Sequence, residues 1–303
     1  PFRKAVIVAL EQSDIIYFVV TDRFCEAANP HASVRSQINK NDPLLYHGGN
    51  FDGIVSRIPY FKKLGITALW ITPVYTQLDL PSVAGYHGYW ALDFNAVSPM
   101  LYRDNGRYPT GSKLYLRDLV EQLHAAGIKL ILDMVVNHTG YNHPGRSGRQ
   151  GNPTPIQPEW FNQAGLDSEH SETEGELSGL PDLDLDNPDV CDYHIRTILS
   201  WIEETGIDAV RMDTVKHVEK CFWNDYKTLV KGLHPQVHLL GEVLEFDAGV
   251  VSDYQKFWAF DSLFDFPLYR AIQQVFLEDH SFHLLASPFN MGTGLLEQDA
   301  AYN

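Results

Sequence analysis

The sequence predicts an α/β protein of the barrel type, in which parallel strands alternate with helices and a small domain interrupts the series after the third strand. Three observations carry this. Short apolar runs rich in Val, Ile and Leu recur at a regular interval with helical-period segments between them, the pattern of parallel βαβ units. The residues able to do chemistry cluster at or just after the ends of those runs, and the strand C-termini of such a barrel face one mouth. The rhythm breaks only once for long, over 139–188, a stretch rich in Pro and Gly.

Taken in order, Asp14 to Val20 (DIIYFVV) is a β-branched and aromatic first strand. The polar stretch from Arg23 to Gly49 reads as a long loop. Ile54, Ile58, Phe61 and Leu64 recur at helical spacing, and Gly65 stops that helix. The second strand is Ile66 to Val74, followed by a polar and aromatic loop carrying GYHGYW (85–90). Leu114 to Ala126 is an amphipathic helix ending at Gly127. The third strand, Ile128 to Val136, runs into Asn137 and His138.

Residues 139–188 contain no convincing long helix, too much structureless chain for an ordinary loop. A small inserted domain is the reading; a disordered linker is the alternative, against which Trp160, Phe161 and several leucines demand burial. Helix then resumes from Asp189 and stops at Gly206. A fourth strand covers Ile207 to Met212, a helix lies around Phe222 to Lys231, a fifth strand is Val237 to Val243, and DSLFDF (261–266) supplies a sixth. The expected division is 1–138 for the first part of the barrel, 139–188 for the insertion, and 189–303 for an incomplete continuation.

The 303 residues can bury one large core. A formal charge of −16 disfavours nucleic acid and anionic membranes as partners. No apolar run is long enough for a membrane span, and no signal peptide is visible at Pro1. Cys25, Cys191 and Cys221 lack paired zinc spacing and read as buried thiols. They leave the compartment open, with secreted or periplasmic favoured over cytoplasmic.

The chemistry centres on GIDAVRMDTVKH (206–217). Asp213 follows the fourth strand, and Arg211, two residues earlier, points to the same face at strand period. A fixed cation there holds a carboxylate ionised, as a nucleophile needs. An isolated Arg–Asp pair is equally a structural cap. Glu242 ends the next strand, flanked by apolar residues that raise a carboxyl pKa, as a general acid needs. Two facing carboxylates support glycoside hydrolysis, and a separation of about 5 Å marks the retaining class. His138 and His217 can contact sugar hydroxyls or simply complete a core network. Asn137, Asp182, Asp184 and His217 carry oxygen donors suited to calcium, although solvated acids are the commoner outcome.

Taken together, GYHGYW (85–90), DMVVNH (133–138), GLPDLD (179–184), GIDAVRMDTVKH (206–217) and LLGEV (239–243) resemble the ordered signature blocks of the α-amylase family of glycoside hydrolases. The resemblance implies a (β/α)8 TIM-type barrel, here with strands 1–6, and retaining cleavage of α-1,4-glucosidic bonds in starch-like glucans. It assigns Asp213 as nucleophile, Glu242 as acid/base and Arg211 as support of the nucleophile. It also implies substrate contacts from His87, Tyr89, Trp90 and His138, and leaving-group contacts from Lys216 and His217. A structural Ca2+ is implied at Asn137, Asp182 and the His217 carbonyl; Asp133 and Asp184 match their motifs as supporting residues, not reacting ones. The family's last block, Asn-His-Asp, does not occur in these residues, which supplies the expectation of a C-terminally truncated chain. Two alternatives stay open: a cyclodextrin-cleaving or glucanotransferase member, and a truncated carbohydrate-binding chain without catalysis. A barrel open after six strands exposes edges, and another chain completing or covering it is expected.

Overall fold

The computed structural model describes residues 6–27, 36–163, 165–169, 171–258 and 260–286, together with the backbone of 301–302. Strand β1 (Ile16–Val19) leads into a short helix α1 (Thr21–Phe24) and then α2 (Phe51–Ser56) and α3 (Ile58–Leu64). The single helix expected here is divided at Arg57. Pro59 explains the division, because its ring and missing N–H disfavour helix across the preceding turn. Gly65 ends α3 in the left-handed conformation at φ 80°, as the sequence predicts.

After β2 (Ala68–Ile71), the region expected to be loop forms an antiparallel pair, β3 (Tyr75–Gln77) with β4 (Ala91–Val97). Register shifts interrupt this ladder, so its alternation is weak and the sequence conceals it. The pair nevertheless presents GYHGYW as its connection. Helix α4 (Leu114–Ala125), β5 (Lys129–Met134), α5 (Pro188–Thr205) and β6 (Ala209–Met212) follow closely the expected bounds. The helix expected near 222–231 is α6 (Lys220–Asp225) continued by a π-helical turn to Lys231. The chain then forms β7 (His238–Gly241), α7 (Ala248–Trp258), β8 (Ser262–Leu263), α8 (Phe266–Leu277) and a two-residue β9 (Ala301–Tyr302).

The main sheet has the order β1-β2-β5-β6-β7-β8-β9, parallel throughout. Strands alternating with helices in this order form part of the wall of a (β/α)8 barrel, and the six strands expected from the sequence are β1, β2, β5, β6, β7 and β8. Residues 139–187 contain two short 3-10 turns and isolated bridges, including His138 to Asp182 and Phe161 to Leu183. On the outside, Tyr269, Ile272, Phe276 and Leu277 of α8 are exposed. Among the described residues, no helix is long and apolar enough to cross a membrane.

The core between strands and helices holds Phe61, Leu69, Leu132, Trp201, Trp223 and Tyr226, all fully buried. Trp201 also donates from Nε1 to the Phe94 carbonyl at 2.8 Å, tying α5 to β4. At the opposite end of the strands from the mouth, Asp208 accepts from Val8 N, Leu130 N and His124 Nε2. It therefore cements the base of the barrel, five residues before Asp213 opens onto the other end.

Gly53 on α2 lies against α1: a Cβ there would stand 1.8 Å from the Cys25 carbonyl oxygen. Helix propensity alone favours Ala over Gly by roughly 0.5–1 kcal/mol. Overpacking opposes it by about 1–3 kcal/mol. Gly53→Ala is expected to lower the midpoint of urea unfolding, and a raised midpoint would show that α1 yields without cost.

Candidate active site

Strand register assembles the site. Asp133 on β5 pairs with Arg211 on β6, and parallel partners project to the same side. Asp213, two residues on, returns to that side. Met212 pairs with Gly241, so Glu242 follows level with Asp213 on the neighbouring strand; backbone bonds from Asp213 N to Met134 O and from Glu242 N to Met212 O fix both strand ends.

Three carboxylates converge on one buried guanidinium. Arg211 Nη1 donates to Asp133 Oδ1 at 2.8 Å and to Asp213 Oδ1 at 2.7 Å, while Nη2 lies 2.9 Å from Glu242 Oε2. Burial alone would depress the Arg211 pKa, but the three acids outweigh it and keep the cation protonated. Asp133, fully buried, also accepts from Trp70 Nε1 at 3.1 Å and Tyr89 OH at 2.8 Å. Burial pushes its carboxyl up to about 7 despite Arg211.

Glu242 differs from Asp213 in its surroundings. Burial raises its pKa, Arg211 opposes this, and the neighbouring Asp213 charge and a shared hydrogen bond raise it further. Its Oε2 accepts from Thr214 N at 3.1 Å. Thr214 adopts φ 49°, ψ 40°, a costly conformation for a β-branched residue that aims its N–H at the carboxylate. Both carboxylates thus touch the arginine, and burial leaves Glu242 holding its proton to higher pH than an ordinary glutamate.

GYHGYW lies beside them. Tyr89 reaches Asp133, His87 stacks on Tyr89 at 5.7 Å, and Trp90 meets His87 edge-on at 4.7 Å. Burial holds His87 and His138 neutral, each lowered to about 4, with repulsion from His138 and Arg23 adding to the His87 shift. His138 Nε2 is buried without a hydrogen-bond partner. Arg23 lies 3.6 Å over the Tyr86 ring. Lys216 and His217 lie in the turn after β6. The Lys216 ammonium lies between Glu172 and Glu245, and His217 Nδ1 is 2.9 Å from the Glu172 carbonyl.

The expected cation ligands come only partly together. Asn137 and Asn162 donate from their amides to the two oxygens of Asp182, at 2.9 and 2.8 Å. Burial raises Asp182 to about 8 and Glu219 to about 7, and Glu219 Oε2 is buried with no partner. No hydrogen bond among the described residues links His217 to this group. Asp184 instead accepts from Asp186 N and Asn187 N, organising the turn before α5. Among the described residues no cluster of three His, Cys, Asp or Glu side chains is arranged to hold a metal.

Sequence reasoning missed Trp70, Asn162, Glu172 and Glu219. Trp70 was findable: in β2 its side chain alternates with those of Leu69 and Ile71, which face the helices, so it faces the barrel interior. The other three sit where no strand period indicates direction.

Fold and site define a class: an α/β barrel carrying paired carboxylates over a buried arginine at its C-terminal mouth. Residues 18–292 match the family described as alpha amylase, catalytic domain, and the chain belongs to the α-amylase family. It is 35% identical over 278 residues to the beta/alpha-amylase of Paenibacillus polymyxa, covering 88% of this chain and 21% of that protein. Among solved structures it is similar to the Geobacillus thermoleovorans α-amylase complexed with acarbose (35% identity, TM-score 0.79, 95% of this chain, 59% of that one). An Anoxybacillus α-amylase is comparable, at 36% identity and TM-score 0.80, covering 95% and 60%. The chain spans about three fifths of these solved amylases and a fifth of the Paenibacillus protein.

Arg211 supports the fold as well as the site. Removing one partner of such a buried cluster costs about 3–5 kcal/mol. The folded pKa of Asp133 lies above its unfolded value of roughly 3.9. Its stabilising contribution is therefore present at low pH and lost as pH rises from about 4 to about 7. Without the arginine this slope steepens. Arg211→Met is expected to lose more stability at pH 7.5 than at pH 4.5 in urea titrations; equal losses would contradict the charge account.

Proposed function

We propose that the chain carries the catalytic site of an α-glucan hydrolase acting on α-1,4-glucosidic bonds by retaining double displacement. The observation that carries this reading is the convergence of Asp213 and Glu242 on Arg211, with the Glu242 carboxyl raised by burial and by its acidic neighbour. Asp213 attacks the anomeric carbon while the glycosidic C–O bond breaks and Glu242 donates its proton to the departing oxygen. Water then attacks the glycosyl–Asp213 ester; Glu242 takes the water proton, and the Asp213 carboxylate leaves. Arg211 orients the Asp213 carboxylate through their 2.7 Å hydrogen bond, and Asp133, itself tied to Trp70 and Tyr89, holds Arg211 in place. In this reading His87, Tyr89, Trp90 and His138 line the side of the sugar that is cleaved, and Lys216 and His217 the leaving-group side.

Residues 139–188 are proposed as a domain inserted between two parts of the barrel, 1–138 and 189–303. The exposed apolar side chains of α8 support the reading that further polypeptide covers that side. A secreted or periplasmic location remains part of the proposal.

The resemblance also implies calcium, and the oxygen-rich group of Asn137, Asn162, Asp182 and Glu219 fits a hard cation: a buried carboxylate oxygen without a partner and a second raised carboxyl are what a divalent ion would neutralise. Asn137 and Asp182 would hold it with the His217 carbonyl, joining barrel and insertion. A chelator is expected to lower the melting temperature and added Ca2+ to restore it; a melting temperature indifferent to both counts against the ion.

Asp213→Asn is expected to reduce starch hydrolysis by at least about 10⁴-fold with the fold intact by circular dichroism. Full activity in that variant would sink the assignment. Glu242→Gln should lose about 10²–10⁴-fold on starch. Its turnover of α-maltosyl fluoride should recover with azide, which attacks the glycosyl ester without needing a base. As Glu242 must be protonated to act as acid, kcat/KM for starch should fall as pH rises through its elevated pKa.

A further inference from the structure

Lys216 is held from two sides by segments far apart in sequence. Its ammonium lies 3.4 Å from Glu172 in the 139–187 segment and 3.8 Å from Glu245, three residues beyond Glu242. The backbone carbonyl of Glu172 also accepts from His217 Nδ1 at 2.9 Å, so a single residue engages both members of the Lys216–His217 pair. The turn presenting it is anchored at its base by the bridge between Asp167 and Glu176 and by the ion pair of Glu176 with Arg146.

These contacts do little for stability. The Glu172 and Glu245 side chains are 58% and 34% exposed, and ion pairs of that kind at such distances are weak. Their consequence is orientation. With Nδ1–H donated to Glu172, the His217 ring keeps Nε2 as an acceptor. The two carboxylates direct an ammonium that would otherwise swing on a flexible stem. A ring imine, an ammonium and two carboxylates within reach of one another are donors and acceptors suited to the vicinal hydroxyls of a sugar.

We propose that Glu172 is a specificity-determining residue, closing the leaving-group side of the cleft and favouring departing groups that are themselves sugars. The inference rests on the retaining-hydrolase reading and adds to it a contact that no signature block contains. Glu172 acts on binding of the departing sugar and leaves the reacting atoms to Asp213 and Glu242.

The test uses the complete gene product and two substrates. Maltoheptaose places sugars on the leaving-group side; α-maltosyl fluoride loses only fluoride and places none there. Glu172→Gln, which keeps the backbone carbonyl and removes the charge, is expected to raise KM for maltoheptaose about 5- to 10-fold. Its kcat/KM for α-maltosyl fluoride should stay within about twofold of wild type, and Glu172→Asp should recover part of the loss. An unchanged KM for maltoheptaose, or parallel losses on both substrates, would overturn the role of Glu172. A wild-type protein that releases no fluoride would overturn the reading of the reaction beneath it, and the proposal with it.

Discussion

One buried guanidinium organises this site. Arg211 sits between carboxylates from three consecutive strands of the sheet, β5, β6 and β7, and no other cation shares that position among the described residues. The parallel register makes the convergence possible, because Asp133, Arg211 and the residues just past Met212 and Gly241 project to one side at similar heights. Three carboxyls with no cation among them would be driven to protonate; the shared arginine opposes this, while burial and the neighbouring acids still raise Asp133 and Glu242. A carboxyl raised in this way at Glu242 is one suited to give up a proton.

The supporting contacts extend this logic outward. Asp133 is held by an indole and a phenol as well as by the arginine, so it anchors the cation without facing the cleft. Trp70 and Phe264 add aromatic faces, 5.3 and 5.8 Å from the guanidinium, which favour a weakly hydrated cation in a dry place. On the outer side, the segment between β5 and α5 meets the turn after β6 through Glu172, and its two ends meet each other at Asn137 and Asp182.

Much of this was legible in the residues alone. Strand ends are marked by composition, and period two places Arg211 and Asp213 on one face. Five ordered blocks indicated the family, which the match over 18–292 shows. What stayed hidden has physical causes. The β3–β4 ladder is broken by register shifts, so alternation could not reveal it. Pro59 divides a helix whose apolar spacing runs on undisturbed. Asn162, Glu172 and Glu219 lie in turns or at an element edge, where direction depends on long-range packing, and a sequence pattern carries no sign of which acid meets which base.

The account turns on Asp213 becoming covalently bound to sugar while Glu242 does not. A fluorosugar fluoride whose ring substituent slows the second displacement would capture that state, and protease digestion with mass spectrometry would locate it. The account predicts a single glycosyl adduct on the peptide containing Met212 and Asp213, at the Asp213 carboxyl. An adduct on Glu242, or turnover with inverted anomeric configuration and no adduct at all, would contradict it.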